Sequence, residues 1–185
     1  MRHTTLQAIL EAREQRWRTK QDLARRFRAC VLSLCLNIPG PDKSPPGVER
    51  AFALLQAALR EAHALEFQRH AARATSEKTP RARCAAIIYE TNGTGADGTH
   101  WLMASPLPGS TLKRMAVRLE YRHPLGRLAD IDILTQTGES LSRADLGLPP
   151  RRCFLCDAPA MLCRRRKQHP QEMLINFTTA LLGKM

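Results

Sequence analysis

Nine residues, CVLSLCLNI (30–38), form a nearly continuous apolar run that ends at Pro39-Gly40-Pro41. A run this short, bounded by residues that break regular structure, reads as a buried strand. It commits the chain to a sheet with a covered interior. Helical patterns flank it. Upstream, Thr4 or Thr5 is placed to cap a helix on which Leu6, Leu10, Trp17 and Ala24 recur at helical spacing. Downstream, Ser44-Pro45-Pro46 opens a second helix whose face is Phe52, Leu55, Leu59 and Ala62. Polar and basic residues 68–83 then read as a loop.

CAAIIYE (84–90) and HWLMAS (100–105) flank NGTGADGT, whose asparagine and glycines favour a turn, so the segment reads as a β-hairpin. After Pro106-Leu107-Pro108, Ser110 is expected to cap a helix reaching Leu119. RLADIDIL (127–134) reads as a strand, and Thr137-Gly138-Glu139 turns it back into SLSR as a second hairpin. A cysteine- and arginine-rich loop (151–169) and a last helix from about Pro170 to Leu182 close the chain. Helices mixed with strands that are adjacent in sequence predict an α+β fold around a mixed sheet, with residues 1–185 as a single domain.

With 43% apolar residues and 5% aromatics the composition is that of a globular protein. No run approaches the roughly 18 apolar residues of a membrane span. Charges from Glu11 onward break any apolar leader, so a cytoplasmic location without a membrane partner is expected. In a reducing compartment the six cysteines are thiols or metal ligands in preference to disulfides. The net charge of +12 favours polyanionic partners, and it is concentrated. Residues 2–28 carry eight basic side chains against three acidic ones, and residues 151–169 carry six against one.

Against that background Asp130 and Asp132 stand out. On a strand, i and i+2 share a face, so the two carboxylates project together and repel each other unless a cation sits between them. A hard divalent ion such as Mg²⁺ suits carboxylate oxygens and leaves positions free for phosphate. The competing reading is an exposed edge strand with both groups in water. Upstream, His123-Pro124-Leu125-Gly126-Arg127 offers a turn, a glycine for close backbone approach and a cation, a natural phosphate seat. Downstream, Arg143, Arg151 and Arg152 offer guanidinium forks that match phosphate geometry.

HPLGRLADIDIL, then TGESLSRADLGLPPRRCFLC, Cys163 and His169, resembles the apo-citrate lyase phosphoribosyl-dephospho-CoA transferase (holo-citrate lyase synthase) family most strongly from about Leu119 to His169. The resemblance implies a nucleotidyltransferase-like fold and a nucleotidyltransferase activity. The donor would be 2'-(5''-triphosphoribosyl)-3'-dephospho-CoA and the acceptor a serine of the acyl carrier (γ) subunit of citrate lyase, with pyrophosphate released. By the same resemblance Asp130 and Asp132 match the family's DxD and carry the metal. Gly126 and Arg127 are then assigned to the triphosphate, Arg143, Arg151 and Arg152 to phosphate clamping, and His123 to orienting a phosphate, acting as a base, or a buried structural role. Glu120 reads as a helix-end surface residue, with a third metal ligand as the alternative. Ala129 departs from the aromatic expected beside the DxD, which removes packing mass but no chemistry.

Cys153-x2-Cys156-x6-Cys163-x5-His169 places three thiols and an imidazole within 17 residues, a set suited to tetrahedral, structural zinc, with reduced, partly buried thiols as the alternative. Cys30, Cys35 and Cys84 lie in apolar strands and read as core. The basic first helix offers either a docking face for an acidic carrier protein or a solvated surface. Two other functions use the same features: a transferase for the malonate decarboxylase carrier protein, and a basic, zinc-containing nucleic-acid-binding module. The low aromatic content and the DxD weigh against nucleic acid.

Overall fold

The computed structural model describes residues 5–74 and 86–184. Helix α1 (Leu6–Phe27) leads into strand β1 (Cys30–Leu36), then α2 (Val48–Ala74), the hairpin β2 (Tyr89–Gly95) and β3 (Gly98–Ser105), α3 (Gly109–Arg122) and β4 (Ala129–Leu134). A single 3₁₀ turn at Ala144–Leu146 and two helices, α4 (Ala160–Arg166) and α5 (Gln171–Leu182), complete the chain.

The four strands form one sheet in the order β2-β3-β1-β4. Every pairing is antiparallel, which corrects the mixed sheet expected from the sequence. The two crossovers, β1-α2-β2 and β3-α3-β4, each join strands that run the same way. Each crossover skips one place in the sheet, so an antiparallel strand lies between its two members. This interleaving is the β-α-β-β-α-β order of the split βαβ arrangement.

Strand alternation gives the sheet two different faces. Leu32, Leu34, Trp101, Met103, Ile131 and Ile133 point to one side and pack against Phe52, Leu55 and Leu59 of α2 and Leu112, Met115 and Leu119 of α3. On the other side Val31, Leu102 and Leu134 meet Leu23 and Ala24 of α1. This second layer is small, and most of that face is left to polar side chains.

Thr5 caps α1, its hydroxyl accepting from the Ala8 N–H at 3.2 Å. The buried face is Ile9, Leu23 and Ala24, whereas Leu6 and Leu10, expected inside, are 73% and 53% exposed. The helix turns a different stripe inward, so that Ile9 is covered while Leu6 and Leu10 on either side of it in the sequence are not. Helix α2 continues through Ala74, correcting the loop expected from residue 68. Residues 75–85, with Cys84 and the start of CAAIIYE, lie outside the described residues.

The hairpin turns later than its glycines suggest. Asn92-Gly93-Thr94-Gly95 pairs within β2, and only Ala96 and Asp97 form the loop. At Gly93 a Cβ would lie 2.5 Å from Nε2 of its cross-strand partner His100, so a larger residue there would displace that ring. Helix α3 starts at Gly109 with Pro108 at its N-cap, so Ser110 is inside the first turn and caps nothing. The second expected hairpin reduces to one bridge, Leu134–Ser140.

Candidate functional site

Strand β4 lays Ala129, Ile131 and Ile133 into the α2–α3 core and turns Asp130 and Asp132 to the opposite face. Both carboxylates remain about half exposed, at 53% and 50% of their side chains. Their neighbours across β1 are Cys35 and Ser33, and His100 lies one strand further on. Over this face, α1 on one side and the C-terminal segment on the other leave a cleft of ≈ 1260 Å³. Arg13, Arg16, Trp17 and Lys20 line it from α1, and Arg151, Arg152, Arg164 and Lys167 from the C-terminal side.

Each aspartate is met by a cation from a different part of the chain. Lys20 Nζ lies 3.0 Å from Asp132 Oδ2. Arg151 reaches Asp130 Oδ1 at 3.2 Å while donating to the carbonyls of Arg127 (2.8 Å) and Ala129 (2.6 Å). Arg151 is thereby fixed against the strand, with its fork at the carboxylate pair. Arg152 lines the same cleft and pairs with Asp157 at 3.1 Å. The cleft has a third carboxylate, Asp97, whose side chain is only 3% exposed and is paired with Arg16. Its second oxygen, Oδ1, is buried without a hydrogen bond among the described residues. Cys35 is buried, as expected, and lies on the cleft side of the sheet opposite Asp130; burial pushes its thiol up to about 11.

Gly126 and Arg127, expected to seat phosphate, do not line the cleft. The Gly126 N–H donates to the His123 carbonyl at 2.8 Å. A Cβ on Gly126 would lie 2.4 Å from the Leu119 carbonyl oxygen, so glycine is present to let the chain cross the end of α3. Arg127 turns to the Cys153 carbonyl and lies over the Phe154 ring, 6.0 Å from its centroid. His123 caps α3, accepts the Leu125 N–H at 3.1 Å on Nδ1, and lines a separate hollow of ≈ 370 Å³ on the α2–α3 side. Burial lowers its pKa. Arg143 is paired with Glu120 and donates to Tyr121 Oη at 3.3 Å and to the Pro149 carbonyl at 3.2 Å, tying the Pro-rich loop to α3. Glu120 is buried, not on the surface, and burial raises its carboxyl pKa against the pull of Arg151 and Arg143. Of the eight predicted catalytic and substrate-binding positions, the cleft gathers Asp130, Asp132, Arg151 and Arg152. The other four shape the backbone behind it.

Beside the cleft, Cys153, Cys156, Cys163 and His169 bring all four ligand atoms within 4.8 Å of one another. Cys156 and Cys163 Sγ are 3.4 Å apart, and His169 Nε2 lies 3.3 Å from Cys156 Sγ. These separations are close to the edge lengths of a tetrahedron with ligands at about 2.0–2.3 Å from its centre. The cluster can hold a metal ion. Burial, with the adjacent sulfurs of Cys156 and Cys153, pushes the Cys163 thiol up to about 12, a penalty that a coordinated cation reverses. Arg127 and Arg151, which hold the main chain at Cys153 and β4, connect this cluster to the aspartates.

The family model described as apo-citrate lyase phosphoribosyl-dephospho-CoA transferase matches residues 4–185. The chain belongs to this family. Relatives carrying that description in Escherichia coli O1:K1 and Shigella flexneri serotype 5b are each 34% identical over 175 residues, covering 95% of this chain and 86% of the relative. A protein of Escherichia coli strain 55989, described as a probable transferase of the same kind, matches to the same extent. The match covers α1 as well as the C-terminal half, where the sequence motifs lie. Lys20, Trp17, Arg16 and Asp97 are among the cleft residues that the motifs do not mark. A signal for the first three was present, because residues 13, 16, 17 and 20 repeat at i, i+3, i+4 and i+7 and so form one helical stripe. No helix among the described residues is long and apolar enough to cross a membrane.

Proposed function

We propose that this chain transfers the phosphoribosyl-dephospho-CoA group from 2'-(5''-triphosphoribosyl)-3'-dephospho-CoA to a serine of the citrate lyase acyl carrier subunit, in the cytoplasm, with release of pyrophosphate. The observation that carries this reading is the pairing of two half-exposed aspartates on one strand face with cations from both walls of a basic cleft. Family membership directs that polyphosphate-ready site to this donor. The cleft also exceeds the roughly 300–1,000 Å³ of an ordinary small-ligand pocket, as a donor carrying both a triphosphate and a pantetheine arm requires.

Asp130 and Asp132 offer hard oxygen donors open to the cleft and fit Mg²⁺. Such an ion, when bound, neutralises phosphate charge and polarises the bond to the leaving pyrophosphate. The protein's own contribution is position and field. Arg151, anchored on two carbonyls of the strand that carries the aspartates, holds a guanidinium at a fixed distance from them. Arg152 extends that positive wall. The serine oxygen forms its bond to the α-phosphorus as the bond to the pyrophosphate oxygen breaks, so positive charge is needed on both sides of that phosphorus. His123, Gly126, Arg127 and Arg143 serve the same reaction only as scaffold. In this reading the Cys153–Cys156–Cys163–His169 cluster holds one structural zinc ion, which pins residues 151–153 against β4.

The test is mass spectrometry of apo-carrier protein incubated with the chain, donor and Mg²⁺. The apo-carriers of citrate lyase and malonate decarboxylase are run in parallel. Modification of the citrate lyase carrier is expected. Modification confined to the malonate decarboxylase carrier would reassign the acceptor, and binding of bulk nucleic acid without pyrophosphate release would overturn the reading.

A further inference from the structure

Lysine is rarely buried without a reason. Lys20 is 4% exposed and sits at the middle of a surface helix, 112 residues from the carboxylate it meets. Helix α1 turns its stripe of Arg13, Arg16, Trp17 and Lys20 into the cleft and leaves Leu6 and Leu10 in water. The orientation found buries cations, so what they face must compensate.

What Lys20 faces is specific. Among the described residues its ammonium makes one hydrogen bond, to Asp132 Oδ2 at 3.0 Å. It also lies over the Trp17 ring, 5.0 Å from Nζ to centroid, a cation–π contact that stabilises the charge without fixing its direction. Arg151 differs on the other aspartate: two backbone carbonyls hold it, so it stays where it is. Lys20 has a flexible four-carbon stem, three donors and one partner. It is the less anchored cation of the pair.

We infer that Lys20 is a positioning residue of the transfer site, acting as the protein's own counter-ion on Asp132 until a divalent ion takes that carboxylate. Its ammonium is then free to swing along the cleft and meet the donor's phosphate oxygens. The inference rests on the reading of Asp130 and Asp132 as metal ligands. It adds a competition to that reading: ammonium and metal share one oxygen, so metal entry is coupled to release of the lysine. The coupling favours loading of metal and polyphosphate together, since the displaced cation gains its new partner only when the donor is present.

The competition gives Lys20 a signature that a merely structural residue lacks. Mn²⁺ serves as the probe, with free ion followed by electron paramagnetic resonance on the full chain. In Lys20→Met, a near-isosteric apolar replacement, Mn²⁺ should bind at least about threefold more tightly than in the unaltered protein, because a unit positive charge next to the ligand has gone. In the same variant kcat/KM for the donor in carrier modification should fall at least about tenfold, the loss expected of one charge-assisted contact. Lys20→Arg, which retains the charge, should recover most of the transfer. A Lys20→Met protein whose Mn²⁺ affinity is unchanged or weaker, or whose transfer is unaffected, overturns the inference. Asp132→Asn separates the two levels: if it binds Mn²⁺ as the unaltered protein does, the metal-ligand reading itself fails, whatever Lys20→Met shows.

Discussion

Single residues on this sheet are chosen by what lies across from them. Gly126 is the clearest case. Its Cβ position is filled by the carbonyl oxygens of Leu119 and Glu120, at 2.4 and 2.6 Å, and backbone cannot yield as a flexible side chain can. Gly126→Ala should therefore cost about 1–3 kcal/mol in urea unfolding, with the lost activity following the lost fold; a variant as stable as the parent would contradict the close crossing. His63 is a second case. It is fully buried on α2, with Nε2 2.7 Å from Ser105 Oγ, Nδ1 without a partner, and a pKa lowered by desolvation. The folded state thus favours the neutral ring. Its contribution to stability is intact above the unfolded value of about 6.5 and is lost as pH falls toward the lower folded value. Urea midpoints at pH 7.5 and 5.5 should differ less for His63→Gln than for the parent. His100 and His123, also lowered by burial, add to the parent's slope. An equal pH dependence in both proteins would exclude His63 from it.

At the scale of elements, the cysteine segment is organised by its side chains more than by its secondary structure. Helix α4 has only seven residues, and the segment is held by the four clustered ligands and by Phe154 stacked on Phe177 of α5 at 5.4 Å. Zinc binding is thus expected to be linked to its folding. Protein purified without chelator should carry about one zinc per chain by elemental analysis, and removing it with a strong chelator should lower the melting temperature. Less than about a tenth of an equivalent would contradict the zinc assignment. The elements that could be read from the sequence were those with strong local periodicity: β1, the Phe52–Leu55–Leu59 face, the strand carrying the DxD, and the last helix. The ligand cluster was legible for the same reason, since four ligands within 17 residues need no long-range information. Sheet order was not, because it depends on which crossover passes over which strand. Nor was the placement of His123, Gly126, Arg127 and Arg143 outside the cleft lining. Each is of a residue type that binds phosphate, and only the path of the chain shows that carbonyls, Glu120 and a helix end claim them first.

Across the whole molecule, the sheet is used asymmetrically. One face is covered by two helices and holds the main core. The other carries a small apolar patch and then a floor of carboxylates, a thiol and an imidazole beneath cationic walls. Part of the +12 net charge converges on one cleft: Arg13, Arg16 and Lys20 line it from one end of the sequence, and Arg151, Arg152, Arg164 and Lys167 from the other. Its floor holds the acids that this field would otherwise leave unbalanced. In the proposed reaction Asp130 and Asp132 serve as oxygen ligands and not only as partners of Lys20 and Arg151. The most direct measurement is the intact mass of apo-carrier protein after incubation with donor, Mg²⁺ and either Asp130→Asn or Asp132→Asn, each checked for native circular dichroism. Both substitutions keep the side-chain volume and remove the charge, so each should leave the carrier at its unmodified mass while the parent converts it. A correctly folded variant of both kinds that still modifies the carrier at a near-parental rate would contradict the claim.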